Sequence, residues 1–175
     1  MGLTGKNNEE KAWNFLKGKI KNDFGVSGLM GELFAESGLN PQNLQNSYEK
    51  KLGFTDATYT AAVDSGSYAN FVHDSAGYGV AQWTFWSRKE ALLNYVRALG
   101  ASIGDLEAQL GFLYKELSES YPSVLAALKT ATSVRAASDK VLTDFERPAD
   151  QSEAVKIKRA SYGQTYYDKI GRAHV

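Results

Sequence analysis

Helix-forming signals run along almost the whole sequence, and this pattern restricts the fold more than any other feature. Apolar residues recur at helical spacing in one segment after another, whereas the alternating pattern of a half-buried strand is nearly absent. Asn7 or Asn8 precedes the first such segment and Asp105 precedes a later one, and both residue types are common helix caps. The sequence therefore predicts a mainly α fold with about seven to nine helices.

Other helix starts follow from capping residues and proline. The predicted starts are at Ser27, at the capping box Ser87-Arg88-Lys89-Glu90, at Pro122, at Ser133 and at Asp150-Gln151-Ser152-Glu153. Between Pro41 and Trp86 the pattern weakens, which predicts short helices with an irregular or small hairpin segment in the middle of the chain. No linker or repeat divides the sequence, so we expect one domain over 1–175.

Composition excludes several classes of function. The 175 residues are 43% hydrophobic, enough for a sizeable core, and Lys plus Arg balance Asp plus Glu at 20 each. A dedicated nucleic-acid binder needs a basic excess that this chain lacks. There is no cysteine for a disulfide or a thiol nucleophile. The only histidines, His73 and His174, match no zinc spacing, so we expect no metal and no cofactor.

The second predicted helix ends on an acid, within Gly31-Glu32-Leu33-Phe34-Ala35-Glu36-Ser37-Gly38-Leu39-Asn40-Pro41. At about 100° per residue, Glu36 borders the apolar stripe that contains Leu29 and Leu33. Partial burial, the negative end of the helix and the like charge of Glu32 all favour the protonated acid. A protonated carboxyl is what a general acid needs, although most such glutamates are surface residues.

A second motif, Gly77-Tyr78-Gly79-Val80-Ala81-Gln82-Trp83, lies in the irregular middle segment. Its glycines permit a ligand to approach the backbone closely, and the Gln82 amide both donates and accepts hydrogen bonds. Flat faces for sugar rings come from three aromatic side chains: Tyr78, Trp83 and Trp86. The alternative is that these aromatic side chains are core residues and that the glycines only form turns.

Together the two motifs resemble the lysozyme superfamily, and most closely the phage tail lysozyme family. Glu36-Ser37-Gly38-Leu39-Asn40-Pro41 matches the segment in which that family has its catalytic glutamate. The Gly77–Trp83 motif, followed by Arg88, is similar to the glycine-rich segment of lytic transglycosylases, and goose-type lysozymes are related. The likeness extends to the early NNEEKAWNFL and to Phe145-Glu146-Arg147-Pro148, so it covers nearly the whole chain.

The resemblance implies an enzyme that cleaves the glycan strand of peptidoglycan, with Glu36 as general acid. Two-carboxylate hydrolysis needs a partner acid, and of Asp56, Asp64 and Asp74 we favour Asp74 because it directly precedes the glycine-rich motif. Some members of the superfamily use only the glutamate and the substrate's N-acetyl group. The alternatives of hydrolysis with ordinary reducing ends and transglycosylation with 1,6-anhydro ends therefore stay open.

We expect the substrate cleft between the Glu36 helix end and the Gly77–Trp83 motif, with Tyr78, Gln82, Trp83 and Glu146 binding substrate. Glu146 has an equal alternative as the ion-pair partner of Arg147. A non-catalytic glycan-binding tail module is the rival function.

The expected setting is extracellular, at the cell wall. The polar N-terminal segment argues against a signal peptide and no apolar run is long enough for a membrane span, so we expect a virion-associated protein or an endolysin released by another route. Its expected partner is peptidoglycan, with further domains of a larger tail or wall-lysis protein possible. We expect a monomer.

Overall fold

The computed structural model describes residues 2–172, and nine α-helices account for most of them. The helices are α1 (Asn8–Ile20), α2 (Asp23–Ser37), α3 (Asn46–Leu52), α4 (Asp56–Ser65), α5 (Trp86–Ala98), α6 (Leu106–Glu119), α7 (Pro122–Thr130), α8 (Val134–Val141) and α9 (Glu153–Tyr166). Two π-helical turns, Leu142–Glu146 and Tyr167–Gly171, follow α8 and α9. Within residues 2–172 the chain is 67% helical and contains no strand. The predicted mainly α, lysozyme-like fold is confirmed.

Most of the predicted helix starts are confirmed, because local side chains satisfy the first backbone N–H groups. Asn7, Ser133 and Ser152 each accept a hydrogen bond from the N–H three residues later. Asp105 does the same for Ala108 across 2.8 Å. Pro122 is the first residue of α7.

Two predicted starts are wrong. Ser27 lies inside α2 and is fully buried, and Asn22 instead accepts from the N–H of Phe24 at 3.0 Å. Helix α5 begins at Trp86 rather than after Ser87, and its N-cap residue, Phe85, makes no side-chain capping bond. Ser87 is therefore a helical residue, and Lys89 turns inward and is buried.

The chain divides into two compact units. Unit 1 contains residues 1–35 and 113–175, and unit 2 contains residues 36–112. Both boundaries fall inside helices, α2 and α6. The expectation of one domain over 1–175 stays a prediction.

In unit 1, three glycines spaced three residues apart let α2 pack closely against later helices. A Cβ atom at Gly25 would overlap the backbone of Leu128 in α7, and one at Gly28 would overlap Ala137 in α8. A Cβ atom at Gly31 would overlap the backbone of Gly163 in α9. Glycine lowers helix propensity by about 1 kcal/mol relative to alanine, so tertiary packing explains these residues and local preference does not.

A buried charged group also joins α2 to the helices of unit 1. The Glu32 side chain is fully buried, accepts from the Ser138 hydroxyl at 2.8 Å and pairs with the Arg159 guanidinium at 3.0 Å. Arg159 therefore balances the charge of Glu32 within unit 1.

Unit 2 has an aromatic core beneath its irregular segment. The buried rings of Tyr59, Phe71 and Tyr78 contact one another with centroids 5.3 to 6.0 Å apart. A small hairpin, the predicted feature of the middle segment, forms where Tyr78 and Trp83 exchange backbone hydrogen bonds of 3.1 and 3.0 Å. The glycine-rich motif is therefore anchored in this core through Tyr78.

Candidate active site

Glu36 is the next-to-last residue of α2 and is half-buried. The chain turns sharply after the helix, because Gly38 and Leu39 both have left-handed backbones with φ of 63° and 60°. In this turn the Ser37 hydroxyl donates to the carbonyl oxygen of Val80 at 2.8 Å. The residue after Glu36 is thus bonded to the second motif.

The second motif is a hairpin whose backbone approaches the side chain of Gln109 closely at Gly79. Gly79 has a φ of 85°, and the Gln82 N–H donates to its carbonyl oxygen at 3.0 Å. A Cβ atom at Gly79 would lie 2.7 Å from Oε1 of Gln109. Both the positive φ and the lack of space restrict this position to glycine.

Gln109 of α6 connects the two motifs, although the sequence analysis did not single it out. Its side chain is fully buried, and its Oε1 accepts from the N–H of Val80 at 2.9 Å. Its Nε2 donates to the carbonyl oxygens of Pro41 and Ile103, both at 2.7 Å. One amide therefore fixes Pro41, which ends the Glu36 motif, relative to Val80 in the hairpin.

The side-chain amide of Gln82 is hydrogen-bonded to Asn43 and to Gly79 of the hairpin. Its Nε2 donates to the backbone oxygen of Asn43 at 2.9 Å, to Asn43 Oδ1 at 3.0 Å and to Gly79 O at 3.1 Å. Gln82 also has a left-handed backbone with a φ of 53°. These contacts give Gln82 a structural role in holding the hairpin, and its predicted contact with substrate stays a prediction.

Tyr78 and Trp83, two of the predicted sugar-binding residues, lie in the core of unit 2. Both are 0% exposed. The Tyr78 hydroxyl is 2.6 Å from Thr60 Oγ1, and burial raises the pKa of this phenol. Trp83 packs edge-to-face on Phe112 at a centroid distance of 5.5 Å. Side chains with no exposed surface support the hairpin instead of offering a face to a ligand.

Asp74, the favoured second acid, is at the centre of a buried network. Its side chain is 1% exposed and pairs with the buried ammonium group of Lys89 at 2.6 Å. Its other oxygen accepts from the hydroxyls of Tyr59 at 2.6 Å and Tyr68 at 2.9 Å, and Oδ1 also accepts from the N–H of Ala76 at 2.9 Å. A catalytic role for Asp74 stays a prediction, and these contacts argue for a structural one.

Lys89 completes this network and holds the chain just before the hairpin. Its Nζ donates to Asp74, to Ala76 O at 2.7 Å and to the Tyr59 hydroxyl at 3.3 Å, so three acceptors match its three protons. Burial lowers the pKa of Lys89, and the bond to Asp74 opposes that shift. Burial together with Asp74 raises the pKa of Tyr59 and of Tyr68.

The two alternative acids also bind the protein itself. Asp56 accepts from the N–H of Leu44 at 2.9 Å, and Asp64 accepts from the N–H of Ile103 at 2.8 Å. Asp64 also bonds the Ser102 hydroxyl at 2.5 Å. All three aspartates of the middle segment therefore fix loops of unit 2.

Glu146, the remaining predicted substrate-binding residue, belongs to unit 1. It is half-buried at the end of the π-helical turn Leu142–Glu146. Its neighbour Phe145 is buried and packs edge-to-face on Tyr121 at 4.9 Å. Both suggested roles of Glu146, in the cleft or paired with Arg147, stay predictions.

Comparison with known proteins identifies the family. The sequence model of a family described as phage tail lysozyme matches residues 7–170. The chain belongs to the phage tail lysozyme family. Lysozymes are lytic glycosidases that act on peptidoglycan, so membership indicates this class of activity at the cell wall. No curated protein matched the sequence.

Two features of this phage tail lysozyme family member bear on cofactors and membranes. Among residues 2–172, no group of three or more His, Asp and Glu side chains is arranged to hold a metal ion. His174 lies outside the described residues. No helix in the described part of the chain has the length and apolar character needed to cross a bilayer.

Proposed function

We propose that this chain cleaves the glycan strand of peptidoglycan with Glu36 as general acid. The observation that carries the proposal is the hydrogen bond from Ser37 to Val80 O, which ties the Glu36 helix end to the hairpin. A half-buried carboxyl whose neighbouring residue is bonded to a glycine-rich hairpin suits proton donation to a bound sugar. The family membership supports the same substrate.

In the proposed reaction, Glu36 gives its proton to the glycosidic oxygen as the bond from the anomeric carbon of N-acetylmuramic acid breaks. The carbonyl oxygen of the substrate's N-acetyl group closes onto the anomeric carbon and stabilises the positive charge. Water then attacks that carbon, breaks its bond to the acetyl oxygen so that the N-acetyl group is restored, and gives a proton back to Glu36. The net reaction consumes one water and regenerates the protonated acid.

We favour the N-acetyl group over a second enzyme carboxylate because of the contacts of the candidate acids. Asp56, Asp64 and Asp74 each accept hydrogen bonds from unit 2 itself. Moving any one of them to a substrate would leave buried donors without acceptors, at a cost of about 1–3 kcal/mol for each donor.

Lytic transglycosylation is the second candidate, since it too needs no second carboxylate. The muramyl O6 hydroxyl would attack the anomeric carbon, displace the acetyl oxygen from it and pass its proton to Glu36, and no water would be consumed. Mass spectrometry of digested peptidoglycan separates the two reactions. Hydrolysis gives ordinary reducing ends, whereas an end group lighter by one water, about 18 Da, would identify transglycosylation and overturn hydrolysis.

A non-catalytic wall-binding module is the rival from another class. Clearing of a suspension of purified cell walls by the wild type but not by Glu36→Gln would support catalysis. Binding without clearing by both proteins would establish the module instead. We also infer a monomer that acts as part of a phage tail, and sedimentation velocity tests the monomer directly.

A further inference from the structure

An exposed aromatic pair lies at the start of α5. Within residues 2–172 the exposed large apolar side chains are Phe85, Trp86, Leu99 and Ile157. Phe85 is 62% and Trp86 46% exposed, and their rings contact each other with centroids 6.1 Å apart. Single exposed apolar residues are common, but two adjacent exposed rings leave a continuous apolar surface.

Helix formation does not explain these two residues. Phe85 is the N-cap of α5, a position at which Ser, Thr, Asp and Asn are preferred because their side chains accept from the first N–H groups. The Phe85 ring makes no such bond and lies in solvent. A residue that is unfavourable for both the helix and solvation indicates a role in binding.

The Trp86 ring is also held in a fixed orientation. The imidazole of His73 stacks on it with centroids 5.7 Å apart and an interplanar angle of 27°. His73 immediately precedes Asp74, and Trp86 lies one helical turn before Lys89. The buried Asp74–Lys89 ion pair of 2.6 Å therefore joins the two chain segments that carry the stacked residues. A ring ordered before binding loses little entropy when a ligand stacks on it.

We propose that Phe85 and Trp86, with His73 as a positioning residue, form an aromatic platform that binds an N-acetylhexosamine ring of the glycan strand. The C–H bonds on one face of a pyranose meet the negative face of an aromatic ring favourably. The exposed hydroxyl-bearing residues Thr84 and Ser87 flank the platform and supply hydrogen-bonding groups suited to sugar hydroxyls. The inference rests on the proposed function, because the glycan is its substrate.

The size of the surface distinguishes a sugar from a protein partner. A stable protein interface buries roughly 800 Å² on each partner, with about 20–30 residues a side. Two rings provide only a small fraction of that area, which matches one or two sugar rings. A second copy of the chain or another protein would instead require a larger apolar surface around the platform.

The test measures binding in a Glu36→Gln background, so that substrate is not consumed. The probes are soluble N-acetylglucosamine oligomers and insoluble purified peptidoglycan. Trp86→Ala should weaken binding of both by about tenfold, and Trp86→Phe should retain most of the affinity. Leu99→Ala is the matched control, because Leu99 is a 59% exposed apolar residue at the C-cap of α5, and this variant should bind like the parent.

A second measurement needs no change at the platform. Of the three tryptophans, Trp13 and Trp83 are buried and Trp86 is exposed, so acrylamide should quench mainly Trp86. Saturating oligomer should protect this emission in Glu36→Gln. Unchanged quenching together with parental binding by Trp86→Ala would overturn the platform. Loss of a dimer in Trp86→Ala, with glycan binding unchanged, would also overturn it and identify an interface between copies.

The test of the aromatic platform can fail independently of the test of cleavage by Glu36. If Glu36→Gln abolishes cleavage while Trp86→Ala binds normally, the platform fails and the proposed catalysis stands. If the wild type cleaves nothing while Trp86→Ala loses binding, the catalysis fails and the platform stands. Phe85→Ala provides a second variant should Trp86→Ala not fold.

Discussion

The Ser37 hydroxyl donates to the carbonyl oxygen of Val80 across 2.8 Å, so the residue beside Glu36 is bonded to a loop 43 residues later in the chain. This contact joins two motifs that local sequence cannot relate. The Gln109 amide reinforces it by holding Pro41 and Val80. The position of the acid relative to the hairpin is therefore fixed by side-chain to backbone bonds.

Glu36→Gln should fold normally and lose most of its activity. The amide is nearly isosteric with the acid but is a far weaker proton donor, and general acid catalysis contributes about 10² to 10⁴ in rate. Turbidity clearing of purified walls measures the loss, and Glu90→Gln on the exposed face of α5 is the control. A loss smaller than about tenfold would count against the assignment.

Gln109→Met should destabilise the protein although it keeps the side-chain volume. The substitution leaves the buried N–H of Val80 and the carbonyl oxygens of Pro41 and Ile103 without their partner, and we expect a loss of about 2–4 kcal/mol in the free energy of unfolding. Urea denaturation measures it. Gln164→Met is the control, because that exposed amide donates to the exposed Asp168, and an equal effect of both would refute the bridging role.

Asp74→Asn and Lys89→Met should each lower stability by about 3 kcal/mol or more, because either change leaves a buried partner uncompensated. The double variant should lose much less than the sum of the two. The exposed pair of Asp168 and Arg172 gives the control, Asp168→Asn, for which we expect almost no change. An inactive Asp74→Asn protein with wild-type stability would instead restore a catalytic role for Asp74.

Phe85→Asp should stabilise the fold and weaken glycan binding at the same time. The carboxylate supplies the missing cap of α5 and should add about 1 kcal/mol, while the loss of the ring removes half of the aromatic platform. Phe85→Ala separates the two effects, since it removes the ring without adding a cap. Thermal denaturation and binding to peptidoglycan are the measurements, and a destabilised Phe85→Asp variant would contradict the account of the helix start.

The sequence was sufficient for the helices whose caps act locally. Asn7, Ser133 and Ser152 cap through bonds that span three residues, so spacing alone identifies them. Ser27 has the same chemistry but lies in the core, and nothing in the adjacent residues distinguishes a buried serine from a capping one. Its position depends on contacts with distant helices.

The site was predictable only in part for a similar reason. Glu36 and the hairpin were found from short motifs, but the partners of Asp74 and Val80 come from other helices. Lys89 lies on the apolar stripe of α5 with Leu92, and Gln109 lies on that of α6 with Leu106. A polar residue within an apolar stripe is the signal that would have identified both as buried network residues.

The glycine spacing of α2 has a consequence for when the helix that carries the proposed acid, Glu36, forms during synthesis. Gly25, Gly28 and Gly31 lower the intrinsic helicity of the segment by roughly 3 kcal/mol in total, so α2 is unstable until other helices cover it. The surfaces that cover it include Leu128, Ala137 and Gly163. A nascent chain that ends before α9 therefore lacks part of this cover, and the helix that carries Glu36 becomes stable only after α9 has been synthesised.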